Sequence, residues 1–188
     1  MNEPAVIPPA ATPTTGRRTH IALLVDRSGS MQAIRADAEG GIAAFLADQA
    51  AQPGECTVTL FQFDDGYEIA FGPVDLRHAP AYRLVPRGST ALLDAFGRAI
   101  GDTETAVAGI EAAAGTTLVV FAVVTDGGEN ASREWTRAAV RARVEEKTKA
   151  GWLFVFLSAD LSAVAEARDL GVSAESSAGL DPPAAGGK

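Results

Sequence analysis

Two runs of apolar residues, Ile21-Ala22-Leu23-Leu24-Val25 and Leu118-Val119-Val120-Phe121-Ala122-Val123-Val124, show no polar alternation, and each runs into an aspartate. Short continuous runs of this kind, bounded by polar residues and glycine, predict strands buried on both faces, as in the middle of a parallel sheet. The first strand is expected over 19–26. A helix is expected over 32–49, where Ile34, Ala38, Ile42, Phe45 and Leu46 recur at helical spacing. Strand-like runs over 56–63 and 67–74 flank Asp64-Asp65-Gly66, an Asp-Gly turn suited to a hairpin. Leu92, Leu93, Phe96 and Ile100 mark a helical stripe, 102–114 a further helix, 117–125 the second buried strand, and 135–150 a helix closed by Gly151. An apolar strand over 152–157 follows, then a last helix through Leu161, Val164, Ala165 and Leu170 stopped by Gly171. A final edge strand is expected to be brief or missing, reduced at most to the segment near 172–175.

Strands and helices thus alternate apart from one hairpin. This pattern predicts a three-layer α/β/α sandwich with a doubly wound, mainly parallel sheet and one antiparallel edge strand. The domain is expected over 18–175, between a Pro/Ala/Thr-rich tail, 1–17, and an Ala/Gly/Pro-rich tail, 176–188. In such sheets the ligand crevice lies beyond the carboxyl ends of the strands, where the strand order reverses. Asp26 and Asp126 fall at two such ends, and carboxylates held close together there need a cation.

Composition narrows the function classes. The chain has 188 residues, 47% hydrophobic and 21% charged, the balance of one globular domain with a substantial core. A net charge of −8 without any Lys/Arg cluster argues against nucleic acid as a partner. No apolar run approaches membrane-spanning length, so no membrane association is expected. Cys56, the single cysteine, sits in a strand-like run and reads as a buried thiol, since neither His20 nor His78 is placed locally to activate it. The lack of any cysteine pair, and an amino terminus without the charge order or apolar core of a secretory signal, predict a cytoplasmic protein.

Three segments carry the chemistry: Asp26-x-Ser28-x-Ser30, then Thr90 in Gly88-Ser89-Thr90-Ala91-Leu92-Leu93-Asp94, then Asp126 in Thr125-Asp126-Gly127-Gly128-Glu129-Asn130. Together, and in this order, they resemble the metal-ion-dependent adhesion site (MIDAS) of von Willebrand factor type A domains. Each segment alone is a weak signal, but their coincidence on the expected elements is specific. The resemblance implies a Rossmann-like fold and a divalent cation, Mg²⁺ or Mn²⁺ with Ca²⁺ as an alternative. It implies that Ser28, Ser30 and Thr90 are the direct or near-direct ligands, with Asp26 and Asp126 acting mainly through water or hydrogen bonds. Magnesium takes six oxygens, and a shell of neutral hydroxyls leaves its charge incompletely neutralised. An Asp or Glu carboxylate from a protein partner would then complete the octahedron.

The expected function is a cation-dependent protein-interaction module without enzymatic activity. The competing reading is a Mg²⁺-dependent hydrolase or phosphotransferase at the same site. It is disfavoured because no Gly-x-x-x-x-Gly-Lys loop is present, and Arg27-Ser28-Gly29-Ser30-Met31 lacks the first glycine of a nucleophile elbow. Beside the motif, Arg27 is expected to be solvated rather than to attract an acidic partner, Asp94 and Glu129 to be solvated or capping rather than to support the metal or shape the rim, and Trp135 and Trp152 to pack in the core.

Overall fold

The computed structural model describes residues 18–157, 161–172 and 177–178. Strand β1 (Arg18–Asp26) leads through a 3-10 turn (Gly29–Ile34) into helix α1 (Arg35–Ala50). Strands β2 (Glu55–Phe63) and β3 (Tyr67–Asp75) form the hairpin. They are followed by α2 (Leu92–Ala114), β4 (Leu118–Val124), α3 (Arg137–Lys149), β5 (Leu153–Leu157), α4 (Leu161–Asp169) and β6 (Ser177–Ala178). The six strands lie in the order β3-β2-β1-β4-β5-β6, all parallel except β3 at one edge. The mainly parallel α/β architecture read from the sequence is therefore the architecture observed.

Both faces of the sheet are covered, which is why β1 and β4 carry unbroken apolar runs. Ile21, Leu23 and Val25 pack with Ala38 and Ile42 of α1, while Ala22 and Leu24 pack with Leu92, Phe96 and Val140 of α2 and α3. Between the sheet and α2, Phe96 stacks on Phe121 at 5.1 Å between ring centres, and Phe154, Phe156 and Trp152 extend the aromatic cluster. After β1 the chain moves one way along the sheet by α1, and after β4 the other way by α3 on the opposite face, as crossovers of a single hand require. The reversal falls between β1 and β4, the neighbours that end in Asp26 and Asp126.

Several boundaries differ from expectation. The Ser28-Gly29-Ser30 turn winds as a 3-10 segment, so α1 starts at Arg35 rather than near Gln32. Helix α2 is continuous where two helices were expected. A Cβ at Gly101 would stand in open space, and Phe96, Ile100, Thr103 and Val107 are buried along one stripe, so a single buried face carries the helix through this point. Helix α3 starts at Arg137, because Thr136 caps it by accepting from the Ala139 N–H. Trp135 precedes the helix and lies against Gly97 of α2, where a Cβ would come within 2.2 Å of the indole. A short last strand is described at Ser177–Ala178, inside the stretch expected to be tail; of the segment expected to hold it, Val172 is a buried contact after α4 and 173–175 lie outside the described residues. The expected tail 1–17 lies outside the described residues, as does all of 176–188 except Ser177 and Ala178.

Candidate metal centre

Asp26 ends β1 with no solvent exposure. Its Oδ1 accepts the Ser28 N–H at 2.7 Å, and its Oδ2 accepts the Thr125 hydroxyl at 2.8 Å. Thr125 immediately follows β4, and its Oγ1 in turn accepts the Gly127 N–H at 3.1 Å. The ends of β1 and β4 are thereby joined, with Asp126 close enough for its charge to act on Asp26. Burial pushes the Asp26 carboxyl up to about 6; the hydrogen bonds of Ser28 and Thr125 oppose this, and the charge of Asp126 adds to it. Among the described residues, no Lys, Arg or His forms an ion pair with Asp26.

Ser28 is buried and Ser30 exposed, and their hydroxyl oxygens lie 3.1 Å apart. Neighbouring oxygens of an octahedral Mg²⁺ shell, at bonds of about 2.1 Å, lie about 3.0 Å apart, so this pair has the spacing of one octahedral edge. Ser28 does not cap the helix that follows with its side chain, which removes the simplest alternative use of its hydroxyl. Among the described residues, no three His, Cys, Asp or Glu side chains converge on a metal position. A cation at this edge would be held by hydroxyls supported by two carboxylates, a donor set suited to a hard ion.

Thr90 is buried, 3% exposed, and is held by its main chain. Its N–H donates to Asn130 Oδ1 at 2.9 Å, and its carbonyl accepts from the N–H groups of Asn130 and Ala131. Two acids reinforce this junction reciprocally. Glu129, from the β4–α3 loop, accepts the Leu93 N–H at the start of α2, and Asp94 accepts the N–H groups of Arg133, Glu134 and Trp135 at 2.8–2.9 Å. Burial raises the Asp94 pKa, but those three N–H donors bring it below the usual carboxylate range overall. Glu129 thus caps the start of α2, a role expected of it, whereas Asp94 caps no helix and instead pins the loop ahead of α3. The Thr90 loop also touches the first motif, where Gly29 N–H donates to the Gly88 carbonyl at 3.1 Å.

Arg27 overturns the expectation of a solvated side chain. It is 7% exposed, pairs through Nε with Asp64 Oδ2 at 3.0 Å, and pairs through Nη1 with Glu68. The sequence reading missed Asp64, taken only as a turn residue, and Thr125, given no role. The available signal was the one already used: β2 also runs into an aspartate, at the same edge. Cys56 is half-buried, and burial followed by the charge of Asp75 pushes its thiol up to about 11, consistent with an unreactive group.

No known family's sequence profile matches the chain, and no curated protein matches it in sequence. Solved structures do match its fold. The pilus adhesin SpaC from Lactobacillus rhamnosus GG is similar at 13% identity and a TM-score of 0.62, over 88% of this chain and 28% of SpaC. Proximal thread matrix protein 1 from the mussel byssus, solved with a zinc-occupied MIDAS motif, is similar at 17% identity and 0.59, over 88% of this chain and 42% of that one. A von Willebrand factor type A protein from Catenulispora acidiphila is similar at 16% identity and 0.56, over 89% and 40%. The chain spans less than half the length of each. The cytoplasmic expectation is corrected by two of these neighbours, from the mussel byssus and a pilus: a lone cysteine excludes an internal disulfide but does not report a compartment. Among the described residues no helix is long and apolar enough to cross a membrane. In architecture, the chain has the von Willebrand factor type A fold.

Proposed function

We propose that the carboxyl edge of β1 and β4 binds a divalent cation, Mg²⁺ or Mn²⁺, and uses it to dock a carboxylate of a protein partner. The observation that carries this reading is Asp26, a fully buried carboxylate served only by neutral donors. Buried charges are ordinarily paired or bound to metal. Ser28, Ser30 and Thr90 would supply hydroxyl oxygens, while Asp26 and Asp126 would hold bound water and orient Ser28 and the β4 loop. When bound, the ion would supply a positive centre with an exchangeable position for an outside Asp or Glu oxygen. The zinc-occupied MIDAS motif of the mussel protein supports a metal on this fold.

The hydrolase or phosphotransferase reading gains no support from the side chains nearby. Arg27 and Arg87, the cations adjacent to the motif loops, are engaged by Asp64, and His20 sits at the opposite end of β1 from Asp26. We therefore propose a non-enzymatic module.

Calorimetric titration with Mn²⁺ tests the site. Binding is expected in the wild type and lost in Asp26→Ala and Ser28→Ala; equal affinity in all three would overturn the assignment. Docking is tested by water-proton relaxation of bound Mn²⁺ on addition of a Glu-containing peptide. The relaxivity is expected to fall as a carboxylate displaces water, and an unchanged value would remove the carboxylate partner.

A further inference from the structure

Strand β2 also leads into an aspartate at the same edge, and this one pairs with two arginines. Asp64 is 2% exposed. Its Oδ2 accepts from Arg27 Nε at 3.0 Å and from Arg87 Nε at 2.7 Å, while its Oδ1 accepts the Gly66 N–H at 2.7 Å. Its carbonyl accepts the Ala91 N–H at 2.8 Å. Arg27 lies between Asp26 and Ser28, and Arg87 opens the segment that leads to Thr90. One carboxylate therefore grips both hydroxyl-bearing loops.

We infer that Asp64 is a positioning residue that fixes the Ser28/Ser30 loop against the Thr90 loop before any cation arrives; its consequence for metal affinity rests on the function proposed above. The main chain follows the same seam, with Arg27 N–H donating to the Phe63 carbonyl at 2.8 Å and Arg87 N–H to the Arg27 carbonyl at 2.7 Å. Gly88 closes the seam with φ at +69°, and a Cβ there would come within 2.5 Å of Asp65 Oδ1, so this loop lies flush on the hairpin turn. Arg87 is 63% exposed and could be hydrated equally well away from the loop. Its fork is instead drawn inward to a carboxylate already paired with a buried guanidinium, the arrangement that orders a loop rather than one that merely decorates a surface. Glu68 holds the second arm of Arg27 and also accepts from Gln62, which ties the grip into the hairpin strands.

The test compares wild type, Arg87→Gln, Arg87→Lys and Asp64→Asn, with Arg141→Gln, an exposed pair on α3, as control. Mn²⁺ affinity is read by calorimetry at a temperature where circular dichroism shows every variant folded. Amide hydrogen exchange is read in EDTA. Outer partners of metal ligands typically govern affinity by about 10–100-fold, so Arg87→Gln is expected to weaken Mn²⁺ about 10-fold and Asp64→Asn about 100-fold. Exchange at Ser28, Ser30 and Gly88–Ala91 is expected to quicken about 10-fold, with Arg87→Lys recovering most of both effects. If Asp64→Asn does not fold, Arg87→Gln and its lysine counterpart decide. A lower melting temperature with unchanged affinity and unchanged loop exchange would overturn the inference. Loosened loops in a protein whose wild type binds no Mn²⁺ would overturn the metal reading while supporting the positioning role.

Discussion

Asp26 and Asp64 end neighbouring parallel strands and are almost equally buried, yet they sit on opposite sides of the ordinary carboxylate pKa. For Asp64, burial is outweighed by hydrogen bonds from Arg87 and Gly66 and by the charges of Arg27 and Arg87, so its pKa is lowered. For Asp26, burial wins and the carboxyl rises to about 6, because its partners are an amide and two hydroxyls and its charged neighbour is another acid. The contrast separates two uses of a buried acid. Asp64 carries its own cations and is complete as folded, whereas Asp26 carries none and is suited to one from outside.

The same chemical change at the two positions should therefore have opposite consequences. Removing one partner from a buried ion pair costs about 3–5 kcal/mol, so Asp64→Ala should lose that much in urea denaturation in EDTA at pH 7. Asp26→Asn should lose nothing and should gain up to about 3 kcal/mol, the worth of a pKa displaced by roughly two units. A clear loss of stability in Asp26→Asn would break the comparison.

The pH response sharpens it. The folded pKa of Asp26 is raised, so its contribution to metal-free stability is fully present below its unfolded value of 3.8 and is lost as pH rises through about 6. His20, near the amino end of the same strand, behaves in reverse: burial lowers its pKa from 6.5 to about 4, and stability is lost as pH falls across that window. Each effect is on the order of 3 kcal/mol, and they oppose each other over nearly the same range. Between pH 4 and 6.5 these two groups should nearly cancel in the metal-free wild type. His20→Gln should become more stable toward pH 4, and Asp26→Asn less stable. Identical pH profiles for the two variants would refute the opposition.

Mn²⁺ at 100 times its dissociation constant should raise wild-type stability by about 2.7 kcal/mol and leave Asp26→Asn unmoved, read as a shift of the urea midpoint. The smallest effect is expected far from this edge. Arg141→Gln, which breaks an exposed pair on α3, should change stability by less than about 0.5 kcal/mol.

How much of this was legible in the sequence depended on the range of the interactions involved. β1 and β4 were readable because burial on both faces leaves an unbroken apolar run, and the clustering of Asp26, Ser28 and Ser30 was readable because their relation is local. Arg27 was misread because its partners lie 37 and 41 residues away, and only the fold brings β2 and β3 beside it. The continuity of α2 was missed because its buried stripe passes through a polar residue, Thr103, before it reaches Val107. The pairing of Ser177 and Ala178 with Phe156 and Leu157 was not readable, because so short a strand carries almost no pattern.

The sides of the sheet bear on how this protein could meet others of its kind. β3, the outer strand, is interrupted by register shifts opposite Val58, Leu60 and Phe61 and contains Pro73, which has no N–H to offer a newcomer. An edge broken in this way discourages strand-by-strand stacking into fibres. Copies of the chain held close together could keep their strand-end faces available without pairing along this flank.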